Sequence, residues 1–304
     1  MTSILETRRR HFTASNPQFN SIKAKMTPIT SATSPKEEES LLNRVSAAYK
    51  KQGKKVIVVL NVGSVMNTSW DNQVDALLVT WFSGAEGGNA LADILSGKVN
   101  PSAKTTATFP KSYADVPSAK SFYATAASDH KDIHYTEGIY VGYRYYDTFN
   151  IETAYPFGFG LSYTHFAYSD LKLNKQEFKD EIKATVKVTN TGKVAGKEAV
   201  QLYVAAPKGD VDKPVKVLVD FAKTKLLQPA ESTVLELSIR PKEIASFNTK
   251  KSQWIADAGV YKVLVGKSSQ DIILKSEFSI KNTQVIETVK PAFTERLDFT
   301  DLKK

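Results

Sequence analysis

The sequence predicts an α/β domain in the N-terminal half of the chain and an all-β sandwich in the C-terminal half. Two continuous apolar runs, 56–60 and 76–81, indicate the first domain, because strands buried on both faces of a parallel sheet do not alternate with polar residues. From about residue 168, apolar residues occupy every other position in several segments, which indicates the second. A length of 304 residues accommodates two such domains.

Composition and charge exclude several classes of protein. The chain has no Cys, so it contains no disulfide, no thiolate zinc site and no cysteine nucleophile. It has 41 Lys and Arg against 32 Asp and Glu, a net charge of +9, but no basic cluster with stacking aromatics, so we expect no nucleic-acid partner. Because it lacks an apolar run of 18 residues and an apolar N-terminal stretch, we expect no signal peptide, transmembrane segment or membrane partner. The sequence leaves the localisation open.

Residues 1–34 differ in composition from the rest of the chain. Ser, Thr and Asn are frequent there, three arginines stand together at 8–10, and Glu6 is the only acidic residue. This composition predicts a disordered N-terminal arm. It is also typical of transit peptides, which is the less favoured alternative.

A helix is predicted directly after this arm. Ser34 is a favourable cap, Pro35 suits the first helical position, and acidic residues 37–39 face the positive end of the helix dipole. Apolar residues then recur at helical spacing, and Gly53 supplies the stop.

The two buried strands follow this helix. A glycine-rich turn at 84–88 leads from the second strand into another helix, 89–95. The order helix, strand, strand, helix is typical of an α/β domain. A short strand is expected at 105–109, before a long loop and an aromatic stretch at 135–168.

Alternating apolar residues in the C-terminal half predict an antiparallel sandwich of some seven strands. The clearest alternation lies at 182–188, 200–204, 234–239, 261–265 and 272–274. The domains expected from these patterns are a disordered arm at 1–34, an α/β domain at 35–163, a β-sandwich at 164–282 and a C-terminal tail at 283–304.

Several long motifs resemble the C-terminal portion of glycoside hydrolase family 3, the β-glucosidase and β-xylosidase group. They read KKVIVVLNVGSV (54–65), WFSGAEGGNALADILSGKVNPSAK (81–104), TFPKSYADVP (108–117), HYTEGIYVGYRYYD (134–147) and YPFGFGLSYTHFAYS (155–169). Further motifs resemble the fibronectin type III-like domain that ends many family members, namely VKVTNTGKVAGKEAVQLYV (186–204), LLQPAES (226–232) and GVYKVLVGKSS (259–269).

The resemblance implies an α/β sandwich domain followed by an immunoglobulin-like, fibronectin type III-like sandwich. Family members also have an N-terminal (β/α)8 barrel, which needs about 250 residues of its own. They are retaining glycosidases that use a nucleophilic carboxylate and an acid/base carboxyl group. The resemblance places the nucleophilic Asp in the barrel, so we expect this chain to be a truncated form without it.

The resemblance places the acid/base Glu in a loop before the helix that begins near Pro35. Here that stretch, 21–35, contains no acidic residue. We therefore expect no catalytic residue in this chain and no glycosidase activity from it alone. The function implied is the C-terminal part of a β-glucosidase-like hydrolase that acts on β-glucosides or related oligosaccharides when a barrel complements it. The alternative is a non-catalytic carbohydrate- or protein-binding module.

Four residues are candidates for substrate binding. Trp81 stands at a strand end beside the glycine-rich turn, and Glu86 lies in that turn at a helix N-terminus, although a stabilising role there is the simpler interpretation. Glu137 and Arg144 are seven residues apart among aromatics, a spacing that suits a structural ion pair locking the loop that joins the two domains.

No cofactor and no metal site are expected. Among the four histidines only His130 and His134 have metal-like spacing, and their surroundings offer no third ligand. We expect a carbohydrate as partner only with a barrel present. Self-association is expected through the surface that would face the barrel, because large exposed apolar patches promote association.

One departure from the family pattern concerns backbone conformation. Ala230 stands in the LLQPAES turn where the family usually has Gly. If this position has a positive φ, the Ala costs about 1 kcal/mol.

Overall fold

Two parallel strands form the centre of the N-terminal sheet, as the apolar runs predict. The computed structural model describes residues 3–5, 20–22, 36–119, 135–290 and 301–304. The sheet has the order β1-β4-β3-β2. Its strands are β1 (Ser3–Leu5), β2 (Asn20–Ile22), β3 (Val56–Leu60) and β4 (Ala76–Val79).

Two short strands lie within the segment predicted to be disordered. β1 pairs antiparallel with β4, and β2 pairs parallel with β3. Without these neighbours, β3 and β4 would present unpaired backbone N–H and C=O groups on their outer edges. β1 and β2 supply hydrogen-bond partners for those groups. The structure therefore differs from the prediction at these six residues, while the rest of the arm lies outside the described residues.

Helices cover both faces of this sheet. Helix α1 (Lys36–Lys51) and helix α2 (Gly87–Leu95) match the predicted positions. Val56, Val58 and Leu60 point into one core, and Ile57 and Val59 point into another that includes residues of α2. This double burial explains the absence of alternation in β3.

Short elements connect the two domains. The predicted strand at 105–109 is displaced, since β5 (Phe109–Pro110) pairs antiparallel with β6 (Thr153–Tyr155). Helix α3 (Tyr143–Thr148) lies in the aromatic stretch, and a 3₁₀ helix spans Tyr113–Asp115.

The C-terminal domain is a sandwich of a four-stranded and a three-stranded antiparallel sheet, which confirms the predicted fold class. The four-stranded sheet contains β9 (Ala199–Ala205), β10 (Val217–Lys223), β14 (Gly259–Gly266) and β15 (Ile272–Ile280) in the order β10-β9-β14-β15. The other sheet contains β7 (Phe166–Leu173), β8 (Ile182–Asn190) and β11 (Ser232–Ile239) in the order β11-β8-β7.

A small third sheet shows that part of the predicted C-terminal tail is structured. The strand β16 (Gln284–Thr288) pairs antiparallel with β13 (Gln253–Ala256), whose other edge pairs with β12 (Ser246–Asn248). A short helix, α4 (Pro241–Ile244), precedes β12. The edge of β13 supplies the backbone partners that order β16, so the sandwich domain extends beyond the predicted boundary at residue 282.

A buried ion pair joins the two domains. Lys104 Nζ lies 3.3 Å from Glu198 Oε1, and the two side chains are 13% and 5% exposed. Tyr168 donates a hydrogen bond to the same carboxylate oxygen at 2.9 Å. Gln201 Nε2 donates to the carbonyl of Gly158 at 3.0 Å, which adds a second buried contact between the domains.

No helix within the described ranges has the length and apolar character needed to cross a membrane.

Candidate functional site

A cleft of about 660 Å³ lies between the loops of the α/β domain and the segment that leads into the sandwich. Its volume falls in the range of small-molecule sites, roughly 300–1,000 Å³. Its walls come from three stretches that are distant in sequence, 64–67, 106–118 and 137–146, together with Phe157. Of the lining residues that the structure describes, Glu137 alone carries a charge.

The aromatic wall of the cleft is held by the sandwich domain. The ring of Tyr143 packs against Phe157 at 4.9 Å between centroids, with an interplanar angle of 30°. The backbone N–H of Leu218 donates a hydrogen bond to the Tyr143 hydroxyl at 2.8 Å. Tyr143 also contacts Tyr203 edge to face at 5.8 Å. These contacts on three sides leave the Tyr143 ring little freedom.

The segment that carries Glu137 is fixed by the last four residues of the chain. The backbone N–H of Leu302 donates to the carbonyl of Thr136 at 2.7 Å, and that of Lys304 donates to Asp212 Oδ2 at 3.1 Å. Tyr140 is fully buried behind this contact, and burial together with the Asp212 carboxylate raises the pKa of its hydroxyl. The position of Glu137 is therefore set by neighbours on both sides.

Two buried polar atoms at the cleft have no hydrogen-bond partner among the described residues. They are the carboxylate oxygen Oε2 of Glu137 and the hydroxyl of Thr108, whose residue is only 7% exposed. Both residues line the cleft. Most buried polar groups in native proteins are hydrogen-bonded, so these two atoms, which solvent does not reach, are exceptions within the wall of the cleft.

The predicted ion pair between Glu137 and Arg144 is absent from the described structure. No salt bridge joins them, and Arg144 does not line the cleft. The reason is the backbone, since Gly138 and Gly142 both have positive φ, 55° and 58°, and redirect the chain between the two residues.

Trp81 and Glu86 lie together at the carboxyl end of β4, outside the cleft lining. This is the edge of a parallel sheet where ligands commonly bind. Trp81 has φ of 51°, an unusual conformation for a bulky residue, and its ring contacts Phe109 at 6.2 Å between centroids. The next residue, Phe82, is 75% exposed.

Glu86 contacts a residue of the helix that it precedes. It stands at the N-cap of α2, where its side chain caps no backbone N–H. Its Oε2 accepts a hydrogen bond from Asn89 Nδ2 at 2.6 Å, and the residue is exposed. This contact stabilises the first turn of the helix.

The structure thus brings one of the four sequence candidates, Glu137, into the cleft. Sequence reasoning missed Thr108, because a threonine in a loop carries no local signal of a site. His130 and His134, considered for metal binding, lie outside the described residues.

Two family models each match part of the chain. Residues 23–143 match the glycosyl hydrolase family 3 C-terminal domain, and residues 198–269 match a fibronectin type III-like domain.

Individual relatives are β-glucosidases. The chain is 41% identical over 258 residues to Beta-glucosidase A of Butyrivibrio fibrisolvens, an alignment that covers 77% of this chain and 31% of the relative. Among solved structures, beta-glucosidase 3B from Thermotoga neapolitana in complex with alpha-D-glucose is similar with a TM-score of 0.76 and 44% identity, over 84% of this chain and 35% of that one. The Kluyveromyces marxianus β-glucosidase in complex with glucose has a TM-score of 0.77 and 34% identity, over 85% and 30%. The chain thus spans about a third of the length of these proteins.

Proposed function

Because the chain carries a glycosyl hydrolase family 3 C-terminal domain followed by a fibronectin type III-like domain, we propose that it supplies the C-terminal part of a β-glucosidase-like hydrolase. The substrates proposed are β-glucosides or related oligosaccharides. The similarity to β-glucosidases over both domains, at 41% identity to one of them, is the observation that carries this proposal.

The catalytic carboxylates of this hydrolase are proposed to lie outside the 304 residues. Retaining hydrolysis needs two carboxyl groups about 5–5.5 Å apart. Glu137 is the only carboxylate among the described residues that line the cleft, and Glu86 is engaged with Asn89 at a helix N-terminus. Neither has the second carboxyl group that the retaining reaction requires, so we propose that the 304-residue chain does not turn over a glycoside.

An assay of chromogenic β-glucoside hydrolysis by the purified chain tests whether the catalytic carboxylates lie outside it. The expected result is no turnover by the chain and none by its Glu86→Gln variant. Turnover that Glu86→Gln abolishes would contradict the proposal, because it would make Glu86 a catalytic residue.

A second candidate function is a non-catalytic carbohydrate-binding module. The mostly apolar and aromatic lining of the cleft favours it, because that lining holds one carboxylate among the described residues and so provides no pair of catalytic carboxyl groups. Saturable sugar affinity without turnover would support it.

A further inference from the structure

We propose that the sandwich domain positions one wall of the cleft, and that Lys216 is the positioning residue through which it does so. The wall is the segment 137–149, which contains helix α3. Lys216 ends the β9–β10 loop, residues 206–216, and acts through Asp147 of that helix. This role is independent of where the catalytic carboxylates of the proposed hydrolase lie.

The first argument is a buried ion pair between the sandwich domain and α3. Lys216 Nζ lies 2.9 Å from Asp147 Oδ2, and the two side chains are 12% and 3% exposed. That oxygen accepts no hydrogen bond of normal geometry among the described residues, so Lys216 stabilises it through charge. Gln270 Nε2 donates to the other oxygen, Oδ1, at 3.0 Å. Both of these contacts with the Asp147 carboxylate come from the sandwich domain.

The second argument is that backbone groups beside Lys216 also bind α3. The backbone N–H of Val215 donates to Thr148 Oγ1 at 3.0 Å, and that of Leu218 donates to the Tyr143 hydroxyl at 2.8 Å. Tyr143 and Thr148 are the first and last residues of the helix. A helix of six residues is marginal without tertiary contacts, so the sandwich domain fixes it at both ends.

The third argument is that the β9–β10 loop is itself held rigidly. Lys213 forms an ion pair with Asp257, with side chains 9% and 13% exposed, and donates to the carbonyl of Pro207 at 3.1 Å. Gly209 leaves room for this pair, because a Cβ there would collide with the Asp257 carboxylate. The loop therefore transmits the position of the sandwich domain to α3.

The fourth argument is that α3 carries aromatic residues of the cleft. Tyr143 and Tyr146 line the cleft, and the Tyr143 ring packs against Phe157, which also lines it. Tyr143 lies four residues before Asp147, which is about one helical turn. A displacement of Asp147 therefore displaces the aromatic wall.

Hydrogen exchange of the isotope-labelled 304-residue chain, followed by two-dimensional NMR, tests this role. The reporters are the amides of Phe149, bonded to the last turn of α3, and Leu218, bonded to Tyr143. Amides of β8, which lies outside the proposed contact, report global unfolding. In Lys216→Met the reporters are expected to exchange about a hundredfold faster, because the carboxylate is left buried and unpaired. Lys216→Arg keeps the charge and is expected to retain most of the protection.

A double variant separates positioning from stability. Asp147→Asn combined with Lys216→Met leaves no charge buried at this contact, and neutral replacement of a buried pair commonly restores stability. Exchange in β8 is therefore expected to return close to that of the unchanged chain. The reporters are expected to remain about tenfold faster, because neutral side chains no longer fix α3. If the pair contributed only stability, protection would return at both places.

Lys104→Met is the matched control, because it breaks a pair with Glu198 that is buried to a similar extent and joins the two domains elsewhere. It is expected to accelerate exchange in β8 while leaving the reporters unchanged.

The proposal is overturned by any of three results. These are unchanged reporter exchange in Lys216→Met, exchange in Lys216→Arg as fast as in Lys216→Met, and full recovery of the reporters in the double variant. If Lys216→Met does not fold, the double variant decides. None of these results would contradict the proposed hydrolase function, which is tested by turnover rather than by exchange in this chain.

Discussion

At the residue scale, positive φ angles identify positions where a residue with a side chain adopts a backbone conformation that favours glycine. In the part of the chain that the structure describes, five non-glycine residues have positive φ, among them Trp81 at 51° and Ala230 at 65°. A side chain in this region costs free energy that glycine avoids. For Trp81 the aromatic contact with Phe109 offsets part of this cost. Ala230 is exposed, and no such contact is evident for it.

Replacing Ala230 by Gly is therefore expected to increase the free energy of unfolding by about 1 kcal/mol. The gain in the folded state outweighs the added flexibility that glycine gives the unfolded chain. Denaturant unfolding of the two proteins measures the difference. Ala258→Gly, at an exposed turn residue without positive φ, is the control and is expected to destabilise the chain. Equal destabilisation by both changes would show that φ at residue 230 is not a source of strain.

At the element scale, the strands that the sequence predicts are those with uninterrupted patterns. β8 alternates between buried and half-exposed residues over most of its length, and β3 is apolar throughout because it is buried on both faces. β10 escapes prediction because a bulge between Leu218 and Asp220 breaks its register and Phe221 points outward, 69% exposed. Alternation is a reliable signal only where one strand face stays buried along its whole length.

Hydrophobic patterns do not predict the cleft, because its walls come from segments that are far apart in sequence. Glu137 was identifiable as a charged residue among aromatics. Sequence spacing alone predicts that it pairs with Arg144. The prediction is wrong because Gly138 and Gly142 have positive φ and turn the chain between the two residues. Thr108 becomes notable only through its burial and its lack of a partner among the described residues.

The contact between the domains depends on the buried ion pair of Lys104 and Glu198. Lys104→Met is expected to lower the free energy of unfolding by about 3–5 kcal/mol, because it leaves the Glu198 carboxylate buried without a cation. The matched control is Lys183→Met, which breaks a solvent-exposed pair with Glu236 and is expected to have a much smaller effect on the free energy of unfolding. Denaturant unfolding compares the two. A similar decrease in the free energy of unfolding in both variants would show that the Lys104–Glu198 pair contributes no more than an exposed ion pair.

At the scale of the whole molecule, several large apolar side chains of the α/β domain and of the segment that follows it are exposed. They include Phe82 at 75%, Tyr135 at 68% and Val141 at 58%. Exposed apolar patches mark interaction surfaces or sites of association. We propose that this surface is covered by another part of the hydrolase when one is present.

The purified chain is accordingly expected to self-associate as its concentration rises. Light scattering after size-exclusion chromatography measures this directly. Replacing Phe82 and Val141 by Ser is expected to restore a monomer, whereas replacing Phe221, an exposed aromatic of the sandwich domain, is expected to have no effect. A chain that stays monomeric at high concentration would contradict the assignment of this surface.

We propose that these two domains are a working C-terminal part of a β-glucosidase-like hydrolase. We therefore expect activity from a chimera in which residues 36–290 replace the matching C-terminal part of beta-glucosidase 3B from Thermotoga neapolitana, to which the chain is 44% identical. We predict that the chimera hydrolyses a chromogenic β-glucoside while the 304-residue chain does not. A folded chimera without turnover, or turnover by the chain alone, would contradict the claim.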